Sequence, residues 1–305
     1  MNKHSWKLSL KTSESKNNHL SFLGLQKDDD WILNAMSLDD SKLKEMFLSN
    51  VWNRIAADSP WDYPMSDFRY VEVVVGGSYY GIYMLHRRMD PKYLALSEED
   101  ILMKGMGKYL TTIPQDSYEI RQTPLSENET YALMEGVYYR TDVSMLDMDN
   151  FLDISIFLQL GALSDNVGCK NMFYCLKKDG TDYKISMIPW DTDLAMGVVW
   201  IENFAYDYDI SLTKTAYRRE FQQMAILHPD LEDKLAQRWQ QLRKDVLSTQ
   251  DLLDILESQV QQLRQSGAYT RDINRWGLYY GGPDTQEAVL RYVPERLAFL
   301  DTFYE

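Results

Sequence analysis

Apolar positions repeat with two different periods along this chain. Leu43, Phe47, Val51 and Ile55 recur every fourth residue, one face of a helix, and Asp39, Asp40 and Ser41 offer N-caps just before them. Tyr70 to Val75 and Tyr79 to Leu85 are β-branched and aromatic runs separated by Gly76-Gly77. That pattern predicts a tight hairpin whose turn needs positive φ. Trp31 to Ala35 predicts a short strand or turn, and Ile101 to Lys104 a further strand. A small antiparallel sheet with at least one helix is therefore expected N-terminally.

From Asn150 to Leu163 nearly every second or third residue is large and apolar, which predicts a buried helix capped by Asp149. A second hairpin is expected from Asn171 to Lys177, turning at Asp179-Gly180 and returning from Tyr183 to Ile188. Three helical stripes follow. They are Leu231/Leu235/Trp239/Leu242, Leu252/Ile255/Leu256/Val260/Leu263 and Val289/Val293/Leu297/Leu300, with Pro294 marking a break or a first turn. This order is an α+β layout, and it suits a two-lobed molecule with its cleft near the middle of the sequence.

Composition narrows the field. The 305 residues carry 32 Lys plus Arg against 46 Asp plus Glu, a net charge of −14. A nucleic-acid surface needs clustered basic residues, so that class is disfavoured. No apolar run approaches the length of a membrane span. The two cysteines, Cys169 and Cys175, make no disulfide framework, and Cys175 reads as a core thiol. Four scattered histidines argue against a zinc site.

The chemistry concentrates between Gly161 and Gly197. A loop after the buried helix presents Asp165. Asn171 opens the hairpin, and the return strand delivers Asp191 and Asp193 just past its end. Phosphoryl transfer needs this set: one carboxylate to orient a hydroxyl, and an amide oxygen and a second carboxylate to hold Mg²⁺ on nucleotide phosphates. Protein kinases arrange a catalytic Asp, an Asn, a hairpin and a metal-binding Asp in the same order. If Asp191 to Asp193 is extended, both carboxylates are expected to point to one side, which would let Asp193 reach a metal as well.

The blocks KHSWKLSL, WILNAMSLDDSKL, GGSYYGIYML, ILMKG, NFLDISIFLQL, KNMFY, ISMIPWDTDLAMG, RDINRW and RLAFLD resemble, in order and over most of the chain, those of the CotH kinase family. The resemblance implies an atypical protein-kinase-like, two-lobed α+β fold in residues 1–305. A small N-terminal antiparallel sheet, to about residue 125, would precede a mainly helical C-terminal lobe. It implies a Ser/Thr protein kinase using ATP and Mg²⁺, like the spore-coat kinases of that family. Asp165 would be catalytic, Asn171 and Asp191 would hold the metal and nucleotide, Asp193 would support the metal, and Lys104 would contact the nucleotide. Its partners would be Ser/Thr-containing coat or surface proteins, drawn to an acidic enzyme where they are basic.

Two departures accompany the resemblance. The family's upstream Arg-Gly-Asn block is missing, so a truncation that removed a signal is one expectation. The compartment is then the spore coat or another extracytoplasmic site, and otherwise the cytoplasm. The family's Glu after the strand beginning near Gly81 falls at Arg87, with Glu72 and Glu119 as candidate substitutes. A non-catalytic surface or spore-coat assembly module is the alternative function. A glycoside hydrolase is a more distant one, since these aspartates follow one hairpin rather than facing each other across a cleft. Trp276 and the turn from Tyr279 to Pro283 read either as a substrate wall or as partly buried anchors.

Overall fold

The computed structural model describes residues 3–107, 114–139, 141–163, 165–166, 170–198, 206–207, 218–281 and 284–304. Cys169, Gly282 and Pro283 lie outside the described residues.

Two antiparallel sheets organise the described part. The first contains β1 (Trp6–Ser9), β2 (Asp30–Asn34), β3 (Arg69–Val75) and β4 (Ser78–Arg87), in the order β1-β2-β4-β3. Helix α1 (Lys44–Ala57) lies in the connection from β2 to β3. The second contains β5 (Ile101–Met106), β6 (Tyr118–Gln122), β7 (Lys170–Asp179) and β8 (Asp182–Pro189), in the order β6-β5-β7-β8. Sequence patterning anticipated one small sheet; the second joins strands from either side of residue 125, with α2 (Glu127–Tyr139) and α3 (Met148–Gly161) in the connection. The C-terminal part is helical: α4 (Arg218–Leu227), α5 (Leu231–Lys244), α6 (Thr249–Gln265), α7 (Ala268–Trp276) and α8 (Gln286–Phe303).

Strand pleating decides what each face meets. Tyr83 and Leu85 on β4 join Trp31 and Leu33 on β2 in a small outer cluster. Ile82 and Met84 face the other way, into the main core with α1, α3, β5, β7 and β8. His86 follows that inner parity: its ring is fully buried, 4.7 Å from Phe68 and 5.6 Å from Trp190. Arg87 does not; its guanidinium stacks over Tyr93 at 4.4 Å.

Local details correct the sequence reading in three places. The cap of α3 is Asp147, whose side chain accepts from Asn150 N at 3.0 Å, and Asp149 lies inside the first turn. In the β7–β8 hairpin Asp179 pairs with Asp182, so Gly180-Thr181 forms the turn and Gly180 takes the positive φ of 61°. Pro294 sits inside an unbroken α8; the break expected of an interior proline does not occur.

The first and last parts of the chain are pinned to each other. Asp272 on α7 is fully buried and its Oδ1 accepts from Lys3 Nζ at 2.7 Å and from Ile82 N at 2.8 Å. The KHSWKLSL and RDINRW blocks therefore meet at β4. Trp276, from the same helix, donates to Tyr80 O at 2.8 Å, which is the anchoring role.

Candidate active site

The loop after α3 and the β7–β8 hairpin bring the predicted residues together. Asp165 accepts from Asn171 Nδ2 at 3.0 Å and from the Lys170 ammonium. Asn171, the second residue of β7, has φ 53°, and Asp191, two residues beyond β8, has φ 57°. Asn and Asp adopt this left-handed conformation more readily than other non-glycine residues. The residue types suit the backbone as well as the chemistry.

A residue the sequence reading did not single out joins these ends. Asn166 is fully buried, and its side-chain amide donates to Asn171 O at 3.0 Å and to Trp190 O at 2.6 Å. Trp190 N also donates to Asn171 O at 3.0 Å. The loop, the start of β7 and the end of β8 thus form one hydrogen-bonded unit.

Lys104 lies at the centre of the second sheet, opposite Phe173 on β7 and Glu119 on β6. Its ammonium stands 5.8 Å from the Phe173 ring and 5.9 Å from the Trp190 ring, within cation–π range. Burial lowers its pKa and the nearby Arg121 lowers it further, while Asp191 and Glu119 act in the opposite sense. Neither candidate substitute forms a direct ion pair with Lys104 among the described residues. The Glu119 carboxylate pairs with Arg121 at 2.8 Å, and Glu72 pairs with Arg271 at 2.7 Å.

The buried carboxylates past the end of β8 are held toward their protonated forms. Burial raises the pKa of Asp191 and the neighbouring Asp165 carboxylate raises it again, against the pull of Lys104 and Lys170. Asp193 is pushed up to about 7, first by burial and then by Asp191, with Lys44 opposing. Glu45, in the first turn of α1, is raised well above its ordinary value by burial and by Asp191 and Asp193. Sequence reading passed over Glu45 because an acidic residue in a helix's first turn is ordinary.

The donor set fits a hard divalent cation. Asn171 gives its amide hydrogens to Asp165, which leaves the amide oxygen for a ligand role beside the Asp191 and Asp193 carboxylates. Buried carboxylates that repel one another are the environment a cation relieves.

The chain's C-terminal part borders this cluster. Asp40 collects the backbone N–H groups of Tyr279, Tyr280 and Gly281 at 2.6, 2.7 and 3.1 Å. Asp284 accepts from Asp40 N at 2.7 Å and from Lys44 Nζ at 3.1 Å. The pinned turn leaves Tyr279 64% exposed beside a half-buried Tyr280. A separate group of His19, Asp28 and Asp29 has cation-ligand spacing, but the Lys92 ammonium already meets Asp28 there at 2.5 Å.

A family model described as CotH kinase protein matches residues 1–300. The chain belongs to the CotH kinase family. No curated protein matches it. Membership makes this a kinase-like protein. In this CotH-family chain, Asp165, Asn171, Asp191 and Lys104 surround one locus between α3 and the second sheet.

Proposed function

We propose that the chain is a protein kinase that transfers the terminal phosphoryl group of ATP to Ser or Thr hydroxyls of coat or surface proteins. The Asn171–Asp165 hydrogen bond, beside an Asp191 that feels both Asp165 and Lys104, carries this reading. Mg²⁺ would neutralise charge on the phosphates and be held by Asn171, Asp191 and Asp193. Asp165 orients the acceptor hydroxyl and takes its proton. Lys104 places a compact positive charge on the phosphates, and the low polarity of its aromatic surroundings strengthens that contact. Tyr279, exposed on its pinned turn, offers an aromatic surface to the acceptor protein.

The test is Mg²⁺-dependent transfer of labelled phosphate from ATP to the chain itself and to a Ser-rich basic protein. Transfer that disappears in Asp165→Ala and in Asp191→Ala supports the kinase. Binding of Mg·ATP without transfer moves the protein to the assembly-module alternative, for which the lack of a Lys104–carboxylate ion pair among the described residues is the favouring observation.

A further inference from the structure

The connection between β1 and β2 folds back on itself. Leu20 N donates to Asp28 O at 3.0 Å, and Asp28 N donates to Leu20 O at 3.1 Å. In an antiparallel pair of this kind the residue before one partner faces the residue after the other. His19 therefore meets Asp29, with its Nδ1 3.3 Å from Asp29 Oδ1. One ligand atom from each of His19, Asp28 and Asp29 lies within 4.8 Å of the other two. None of the three takes part in the proposed phosphoryl-transfer site.

Acidic groups in loops often gather without holding an ion, but Asp28 is fully buried. Its Oδ1 accepts from Asp29 N at 2.7 Å, from Asp30 N at 3.2 Å and from the Lys92 ammonium at 2.5 Å. Its Oδ2 is buried as well and has no hydrogen-bond partner among the described residues. A buried carboxylate oxygen without a donor is costly, and coordination of a metal is one way that proteins satisfy it. Lys92 marks where a cation sits, since its Nζ is also 3.5 Å from Asp29 Oδ1. Yet it brings one positive charge to two carboxylates, and its side chain is 52% exposed on a flexible stem. A divalent ion balances both carboxylates and lets the ammonium swing out to water.

We infer that His19, Asp28 and Asp29 form a binding site for a divalent transition-metal ion, and that the Lys92 ammonium competes with the ion for the two carboxylates. An imidazole nitrogen beside two carboxylate oxygens suits Zn²⁺ and its first-row neighbours over Mg²⁺, which prefers oxygen ligands alone. Three protein ligands leave the remaining coordination to water. The ion ties His19, in the middle of the connection, to the residues that lead into β2, so its role is structural. The chain's histidines are scattered in sequence; the Leu20–Asp28 pairing is what brings His19 to the aspartates.

The experiment is calorimetric titration of the full chain with Zn²⁺ in excess Mg²⁺, which keeps sites for hard cations filled, alongside melting temperatures with and without Zn²⁺. The proteins are wild type, His19→Ala, Asp28→Asn and Lys92→Met. Wild type is expected to bind Zn²⁺ and to melt at a higher temperature with it. His19→Ala should bind at least about 10- to 100-fold more weakly, the loss seen when even an outer partner of a metal is removed. Asp28→Asn keeps an oxygen for the backbone donors but loses the charge, and Zn²⁺ should no longer raise its melting temperature. Where that buried change does not fold, His19→Ala carries the test, because its side chain is 51% exposed. Lys92→Met should bind about 3- to 10-fold more tightly, since the competing charge is gone. Wild-type Zn²⁺ affinity in His19→Ala, or no gain in Lys92→Met, overturns the inference. A wild type that takes up no Zn²⁺ in excess Mg²⁺ overturns it too, and leaves the kinase reading untouched.

Discussion

The side chain of Asn171 donates to Asp165 across the loop that joins α3 to β7, at 3.0 Å. This bond couples the two halves of the proposed phosphoryl-transfer site: the residue that would handle the acceptor's proton and the residue that would hold the metal. It also fixes the Asn171 amide, with its nitrogen toward Asp165. Lys170, whose ammonium meets the other Asp165 oxygen, keeps that carboxylate from turning.

Replacing Asp165 by Asn preserves volume and removes the proton acceptor. Transfer from Mg·ATP to protein should fall by about 10²- to 10⁴-fold, the usual size of a general-base contribution. Mg·ATP affinity should stay near wild type, because the metal-side residues are intact. Equal loss of ATP affinity and transfer would show that Asp165 acts on the nucleotide instead. Steady-state kinetics beside equilibrium ATP binding separates the two.

Stability should depend on pH through Asp193. Its pKa is pushed up from 3.8 to about 7, so the folded protein keeps a proton that the unfolded chain releases near pH 4. Between about pH 4 and pH 7 the folded state binds more protons, and the stability of the metal-free protein should fall as pH rises. A cation must displace that proton, so Mg²⁺ should stabilise more strongly at about pH 8 than at about pH 5. Urea midpoints in chelator and in Mg²⁺, for wild type and Asp193→Asn, check this. The variant should lose less stability over the window; an identical slope would remove Asp193 as its source.

Much of the scaffold was legible because its signals are local. Gly76-Gly77 announced the β3–β4 hairpin, and the four-residue spacing from Leu43 announced α1. The order Asp165, Asn171, Asp191 could be read because one loop and one hairpin present all three. The second sheet was less legible, since β5 finds partners in β6 and in the distant β7. Glu45 was hidden for the same reason: α1 and the residues after β8 meet only in three dimensions. Arg87 drew attention as a departure from the family pattern. Pleating turns it toward Tyr93 and sends His86 toward Trp190, which sequence spacing alone could not assign.

Gly81 and Asp272 should prove costly to change. Gly81 has φ 103°, and a Cβ there would lie 2.1 Å from Asp272 Oδ1 and 2.9 Å from Trp276 Nε1. Asp272→Ala leaves Ile82 N without its acceptor, and leaves the buried Lys3 ammonium without its carboxylate and with only the Ile82 carbonyl among these contacts. Breaking a buried ion pair from one side costs about 3–5 kcal/mol, and that loss is expected in urea unfolding. Burial already lowers the Lys3 pKa to about 8, so part of the cost is relieved where that amine sheds its proton. The destabilisation should therefore be smaller at about pH 9 than at about pH 6. A cost under about 1 kcal/mol at either pH would mean that α7 is not fastened to the first sheet through this carboxylate.

Asn166 provides the last test, because it touches neither the acceptor position nor the metal side except through the backbone. Its amide bridges Asn171 O and Trp190 O, the carbonyls beside two of the proposed metal-side residues. Asn166→Ala leaves Trp190 O without that donor and frees the ends of β7 and β8 to move relative to each other. Stability should fall by about 1–3 kcal/mol. A purely structural role would stop there. A positioning role adds a rise of about 10- to 100-fold in the Mg²⁺ concentration needed for half-maximal activity, the size typical of lost outer support around a metal. Asn166→Asp sharpens the comparison. An ionised Asp has nothing to donate and sets its oxygens against both carbonyls, so its Mg²⁺ requirement should exceed that of the Ala variant. Unchanged Mg²⁺ dependence in two folded, destabilised variants would show that the bridge supports the fold without setting the geometry of the metal side.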